Sequence, residues 1–419
     1  MKKSTLLQLT FLLFTFSFLS QSHAQNALGC DGRRYLLDIA TDTAMTPNVL
    51  YGNNKVGFTY QNLYMDIIMP KGDTLSRRPV IIFAFGGGFV SGERKDMRDF
   101  CAYYAKKGYV CATIDYRLHN LLGGFPDSVQ VTRTIVQATQ DMKAAIRFLR
   151  QGAANGNPYR IDVNNVIVGG VSAGAITAML TAVMDSTDNI PTWIRTLVAQ
   201  EGGFEGNSGF AGSLSYSSSV KGVINMSGAV YRKEWIDAQD PPFVSYHGTA
   251  DNIVAYGYGI NVYGFYGDGS RTCADRALQL GIPTTLVSVQ GGGHTDIYPG
   301  GANASLFPTF TAKATEFVKR LICGEKPLAS QDVDFQQVKV FPNPSNDAVT
   351  VEIGENTEGS HFDLSIFDAL GRQVFSLKNQ DATQVSIRKK DVGGTGIYVV
   401  RLQFSEASKA VVRKIIFEN

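Results

Sequence analysis

Histidine is scarce in this sequence, at five in 419 residues, and tryptophan scarcer, at two. An excess of either charge is missing too: 39 Lys and Arg against 37 Asp and Glu leave a formal net charge of +2. That balance argues against a polyanionic partner, and no basic stripe runs along any segment to track a nucleic acid. The five cysteines are Cys30, Cys101, Cys111, Cys273 and Cys323, with no C-x-x-C pair and no Cys/His cluster at ligand spacing. No metal site and no cofactor are therefore expected. Five is odd, so at least one thiol stays unpaired within a chain, and Cys111, inside the apolar run "YVCATIDY", is expected to be buried. Long apolar runs are absent after the N-terminus, which leaves no candidate for a segment of the roughly twenty residues that a bilayer span needs.

The N-terminus has its own pattern. Lys2 and Lys3 precede an apolar stretch from Leu6 to Leu19, followed by "SHAQ". Those are the parts of a signal peptide, with cleavage expected after Ala24 and an exported mature protein without a transmembrane segment.

From residue 56 to 322, strand-like runs alternate with helix-like ones. "NLYMDIIMP", "RPVIIFAF", "YVCATIDY", "NNVIVGG", "VKGVINMSG", "PPFVSYHG" and "TTLVSVQ" read as strands. Between them, "DMRDFCAYYAKKG", the stretch 128–150, "AGAITAMLTAVM" and "TAKATEFVKRLICG" read as helices. In the 128–150 stretch Ile135, Ala138, Met142, Ala145, Ile146 and Leu149 fall near helical spacing. Near-continuously apolar strands alternating with helices predict an α/β fold, a mostly parallel sheet covered on both faces. After Gly324 the texture changes: a polar stretch over 325–337 leads into short alternating strands from 338 to 419. The expected division is a signal peptide over 1–24, an α/β domain over 25–324, a linker over 325–337 and a small all-β sandwich over 338–419.

Ser172 sits in "IVGGVSAGAIT", a G-x-S-x-G run between a buried strand and a helix. A serine on such a sharp turn is pushed out above the sheet, and Gly170 and Gly174 let strand and helix approach closely. A serine hydroxyl needs a base. His23 lies in the signal peptide and His361 in the β domain, which leaves His119, His247 and His294. Only His294, in "QGGGHTDIY", follows the last strand of the α/β region; His119 is assigned to the pocket or the structure, and His247 to a buried position beside the acid. With the chain order nucleophile, acid, base, the acid is Asp251 in "HGTADNIV", just past a strand end, while Asp268 and Asp275 read as solvated loop residues. The oxyanion donors are expected at the N–H groups of Ala173, Gly87 and Gly88, the last two in "FGGGF".

These pieces, "FGGGFVSGER", "ATIDYRL", "GGVSAGA", "HGTADNIV" and "GGGHTD", stand in the order and spacing of an α/β-hydrolase of the esterase/lipase type that carries an HGGG motif, and residues 56–322 resemble that family. The resemblance implies a serine carboxylesterase and implies that Asp115 and Arg117 brace the oxyanion loop. Phe85 departs from it, standing where the family has histidine. The last segment, with "VFPNPSND", "LSIFDALGRQV", "GIYVVRLQ" and "KIIFEN", resembles the C-terminal sorting domain of the type IX secretion system. This implies passage through the periplasm to the medium or the cell surface, with the secretion machinery as partner.

Two other classes of function compete: a serine peptidase of the same fold, and a binding module that keeps the fold without the chemistry. The substrate expectation is a short-chain or aromatic ester, small or carried on a polymer. It rests on Tyr256, Tyr258, Tyr263, Phe265, Tyr266 and Phe243 near the acid, and on a Gly/Ser-rich segment after the nucleophile helix that lacks a long lid helix.

Overall fold

The computed structural model describes residues 28–57, 59–210, 212–324, 330–331, 338–353, 361–369, 371–380, 383–404 and 411–418. The expected signal peptide and most of the expected linker lie outside the described residues.

The first strands are β1 (Thr43–Val56), β2 (Thr59–Pro70), β3 (Arg78–Ala84), β4 (Val110–Ile114), β5 (Ile161–Val171) and β6 (Gly222–Met226). They are followed by β7 (Ala229–Val230), β8 (Phe243–Gly248), β9 (Tyr258–Ile260), β10 (Tyr266–Gly269), β11 (Thr284–Val289) and β12 (Ser330–Gln331). Nine of them form one sheet in the order β1-β2-β4-β3-β5-β6-β8-β11-β12. From β4 to β12 every pairing is parallel, while β1 and β2 are antiparallel additions at one edge. Every residue of β3, β4, β6 and β8 is buried, as expected of largely apolar strands when helices cover both faces.

The helices are α1 (Arg98–Lys106), α2 (Ser128–Ala154), α3 (Ala173–Val183), α4 (Thr192–Gln200), α5 (Ser270–Gln279) and α6 (Phe307–Ile322). α2 begins where its cap dictates: the Asp127 carboxylate accepts the N–H groups of Val129 and Gln130, at 2.9 and 2.8 Å, and the Gln130 side chain returns to the Asp127 N–H. β1 and the small antiparallel sheet β7-β10-β9 carry too little apolar periodicity to be read from the sequence, whereas α4, at nine residues, is absent from the expected helices although Ile194, Leu197 and Val198 fall at helical spacing on its buried face. β1 is an edge strand whose residues are mostly exposed or half-buried, so nothing forces an apolar pattern on it.

The remaining strands are β13 (Val338–Phe341), β14 (Ala348–Ile353), β15 (Phe362–Phe367), β16 (Gln373–Gln380), β17 (Gln384–Arg388), β18 (Gly396–Phe404) and β19 (Val411–Phe417). They form two antiparallel sheets, β13-β14-β17 and β16-β15-β18-β19. Burial alternates residue by residue along β14 and β15, and the inward set, Val349, Val351, Leu364, Ile366, Val400 and Leu402, belongs to a core of its own. This is the small sandwich that the alternation predicts.

Cys30 is disulfide-bonded to Cys323, 293 residues away in sequence, which ties the chain ahead of β1 to the end of α6. Sequence spacing alone could not have chosen this pair among five cysteines. Cys101, Cys111 and Cys273 are free and buried. Among the described residues no helix is long and apolar enough to cross a membrane. Replacing Cys30 and Cys323 together with serine is expected to lower the unfolding free energy by about 2–5 kcal/mol, because a very long loop is no longer closed in the unfolded chain. A urea titration checks this; an unchanged midpoint contradicts it.

Candidate active site

Four segments meet at the end of the sheet where β3, β5, β8 and β11 finish. Ser172 follows β5 and caps α3 with φ 56° and ψ −119°, a left-handed conformation that a non-glycine residue adopts only under strain. The turn is held from both sides: the Ser172 N–H donates to the Met226 carbonyl at 2.8 Å, and the Ser172 carbonyl accepts the Ile176 N–H at 2.9 Å. The glycines are a steric necessity. A Cβ on Gly170 would lie 2.3 Å from the Gly174 carbonyl carbon, and one on Gly174 would lie 2.1 Å from the Ala84 oxygen. Strand and helix therefore touch backbone to backbone, and the serine side chain has nowhere to go but outward.

Asp251 follows β8, and His294 follows β11. The two loops are joined directly: the Gly292 carbonyl accepts the Ala250 N–H at 2.9 Å, and a Cβ on Gly248 would lie 2.3 Å from that same oxygen. This brings the three side chains together. His294 Nε2 lies 2.8 Å from Ser172 Oγ, and His294 Nδ1 lies 2.7 Å from Asp251 Oδ2. Asp251 Oδ1 accepts the N–H groups of Ile253 and Val254, each at 2.9 Å. The carboxylate side chain is fully buried, whereas the His294 side chain keeps 12 % exposure on the solvent side. Burial pushes the Asp251 carboxyl up, but hydrogen bonds from His247 and His294, and their charge, outweigh it and hold the group well below the usual carboxylate range.

The loop 85–91 passes over this turn, with Gly86 so close that a Cβ there would lie 3.3 Å from the Ser172 Cβ. Gly87, Gly88 and Phe89 all have positive φ, at 120°, 62° and 61°. The Gly87 carbonyl accepts the Val90 and Ser91 N–H groups, each at 3.1 Å. Peptide planarity then turns the Gly88 N–H the opposite way, out of that inner turn. The Ala173 N–H, first in α3, has no acceptor within the helix.

The loop is not braced by Asp115 and Arg117 as the resemblance implies. Arg117 is buried against Asp141, with Nε 3.0 and 2.9 Å from the two carboxylate oxygens, and Asp115 pairs with Arg94 at 2.7 Å. The residue between them does the bracing. The Tyr116 hydroxyl donates to the Phe85 carbonyl at 2.7 Å, and its ring stacks on Phe85 with centroids 4.3 Å apart. Phe85 thus holds the loop by stacking where the family places a histidine. His119 contributes through its backbone, its N–H donating to the Phe89 carbonyl at 2.7 Å. From across the cleft the Tyr263 hydroxyl donates to the Gly88 carbonyl.

Other expectations need correcting. Asp268 and Asp275 are not solvated loop residues: Asp268 is buried in β10 and accepts the Lys233 N–H at 2.9 Å, and Asp275 pairs with Arg271 within α5. Phe243 is buried at the first residue of β8, the opposite end of that strand from Asp251, so it lines no entrance. Tyr258 and Tyr266 stack on each other on the exposed side of the β9-β10 hairpin. Phe265 lines an apolar cavity together with Ile176, Leu180, Val230, Tyr231 and Val254. His247 is buried beside the acid, as its place in the sequence implies, and it also touches it: Nε2 lies 3.1 Å from Asp251 Oδ2. The four-residue spacing in "HGTAD" was the available signal. Among the described residues no group of three or more His, Cys, Asp or Glu is placed to hold a metal ion.

Residues 65–231 match the BD-FAE family, a family of α/β-hydrolase esterases, and residues 339–418 match the secretion system C-terminal sorting domain. The chain carries a BD-FAE α/β-hydrolase domain and a type IX sorting domain. A curated relative, juvenile hormone esterase from Heliothis virescens, is 26 % identical over 117 residues, which is 28 % of this chain. The match spans only 20 % of that relative's length. Solved structures of similar shape include Thermogutta terrifontis esterase 2 phosphorylated by paraoxon, at 24 % identity and a TM-score of 0.46 over 66 % of this chain and 94 % of that one. The butyrate-bound form of that esterase shows 22 % identity and a TM-score of 0.47 over 64 % and 93 %. The BD-FAE match ends at residue 231, so it covers Ser172 and the 85–91 loop, while Asp251 and His294 lie beyond it. The sorting domain marks the hydrolase for export to the medium or the cell surface.

In the hydrolase domain Gly174→Ala is expected to cost about 3 kcal/mol, because an added Cβ meets the backbone of β3, which cannot give way. Thermal unfolding of the purified variant checks this; an unchanged Tm contradicts it.

Proposed function

We propose that this esterase is a serine carboxylesterase in which Ser172 is the nucleophile, His294 the general base and Asp251 the group that orients His294. The observation that carries the reading is the unbroken chain of contacts from Ser172 Oγ through both nitrogens of His294 to a buried carboxylate. With Asp251 ionised, His294 Nδ1 carries a proton and Nε2 is free to accept one. Ser172 Oγ attacks the ester carbonyl carbon as its proton passes to Nε2, and the carbonyl π electrons move to oxygen. The resulting oxyanion is held by the N–H groups of Ala173, Gly87 and Gly88. Collapse expels the alcohol, which takes the proton back from Nε2 and leaves an acyl group on Ser172. Water, deprotonated by His294, then releases the acid by the same steps in reverse. No cofactor enters the sequence.

The buried apolar cavity supports short-chain or aromatic esters as substrates. Ile176 in its wall is one helical turn past Ser172, and Val254 is three residues past Asp251. Tyr231 and Phe265 stack in the same wall with centroids 6.1 Å apart, a flat surface suited to a short acyl chain or a ring. The catalytic unit spans 25–324, the linker 325–337 and the sorting domain 338–419, with a signal peptide over 1–24 and export through the periplasm.

Ser172→Ala is expected to reduce hydrolysis of a chromogenic acetate ester by more than about 10⁴-fold, with His294→Ala nearly as damaging because the members act as a unit. Ser172→Ala protein that keeps most of its activity overturns the mechanism. Along a series of acyl chain lengths, kcat/KM is expected to peak at four carbons or fewer, on the order of tenfold above long chains. A maximum at long chains overturns the substrate class and leaves the mechanism standing.

A further inference from the structure

His247 has no part in the steps above, yet it is completely buried and lies against the acid. Its Nε2 is 3.1 Å from Asp251 Oδ2 and 3.0 Å from the Val254 carbonyl oxygen. With Asp251 ionised, both neighbours only accept, so the Nε2 atom carries a proton. On the other side, Nδ1 is 2.7 Å from Ser270 Oγ, a hydroxyl able to donate to an unprotonated nitrogen. Ser270 Oγ in turn accepts from Asn225 Nδ2 at 3.0 Å, and Asn225 Oδ1 accepts the Gly228 N–H at 3.0 Å. Asn225 Nδ2 also lies 3.0 Å from Ser245 Oγ. All these side chains are buried, so the ring of His247 is fixed at both nitrogens by groups that cannot relax into water.

We propose that His247 is a positioning residue for ester hydrolysis: its Nε2–H is shared between the Val254 carbonyl and the same carboxylate oxygen, Asp251 Oδ2, that receives the Nδ1–H of His294. This rests on the reading of Ser172, His294 and Asp251 as the triad. A histidine serving only the core would be content with its hydroxyl and carbonyl partners, Ser270 and Val254. This one also lies 3.1 Å from the oxygen on which the catalytic ring pivots. With Ile253 and Val254 on Oδ1 and two histidines on Oδ2, the carboxylate cannot rotate about its own axis without losing donors on both sides. The second donor also draws charge from Oδ2. The Nδ1 bond of His294 is thereby weaker than it would be to an unshared oxygen, and its direction is set.

Three variants of the full-length enzyme test this. His247→Leu removes the donor, His247→Gln keeps a side-chain N–H, and Ser270→Ala keeps the ring but frees its far end. For His247→Leu the expected result is a fall in kcat of roughly tenfold to a hundredfold with KM nearly unchanged, since the reacting groups are misaligned while no side chain lining the substrate cavity is replaced. His247→Gln should recover most of that loss. The far-downfield proton resonance of the His294 Nδ1–H should move further downfield in His247→Leu, because an unshared oxygen accepts more strongly. Wild-type kcat in His247→Leu overturns the proposal, as does equal damage in the Leu and Gln variants with the resonance unmoved. If His247→Leu does not fold, Ser270→Ala decides: a several-fold fall in kcat at constant KM supports the proposal, and wild-type kcat overturns it. Ser172→Ala separates the two levels. An active Ser172→Ala enzyme sinks the triad itself, whereas an inactive one beside fully active His247 variants sinks only the role of His247.

Discussion

A carboxylate taken out of water costs several kcal/mol unless donors replace its hydration shell, and at Asp251 four donors do so. Two are the N–H groups of the turn that begins with the aspartate itself, and the others are histidines from β8 and from the loop after β11. The arrangement of the site follows from satisfying this one group. The histidine loop must come close enough to deliver a ring nitrogen, which is why Gly248 and Gly292 meet at backbone distance. Once His294 is pinned by one nitrogen to a fixed carboxylate, its other nitrogen has a single direction to face, and Ser172 stands there.

The serine is placed by contact of a different kind. Gly170 and Gly174 let α3 press onto β3 and β5 until main chain meets main chain, and the strained turn between them ejects the side chain at the sheet edge. The same glycines admit the 85–91 loop, whose carbonyls are anchored by Tyr116 on one side and Tyr263 on the other. An aromatic residue at position 85 fits this scheme. Buried and stacked on Tyr116, Phe85 gains apolar burial in place of a polar contact, and the loop backbone keeps its hydrogen bonds.

The sandwich at the C-terminus has a separate core, and its strands bury one face each against the opposite sheet. That self-sufficiency suits a sorting domain, whose surface must be recognised whatever cargo precedes it. The disulfide between Cys30 and Cys323 ties the chain ahead of β1 to the end of α6.

Strands buried on both faces are largely apolar, and a strained serine turn between strand and helix must be flanked by glycines. For these reasons the sequence alone was enough for the α/β architecture and the sandwich, and it singled out Ser172 as the proposed nucleophile. The scarcity of histidine singled out His294 as the proposed base, since elimination among five leaves few choices, and the fold places it 2.8 Å from Ser172 Oγ. Tertiary structure decided what local pattern cannot encode. The edge strand β1 carries no apolar periodicity because only part of it is buried. The partners of Arg117 and Tyr116 are contacts across loops, and both side chains look equally suited to either role in a linear sequence. Cys30 and Cys323 were one pair among several until the fold brought their ends together. The second histidine on Asp251 shows the limit most plainly. Its spacing from the acid was visible, but only the path of the chain after β8, which turns Asp251 back under the strand end, brings the two side chains onto one oxygen.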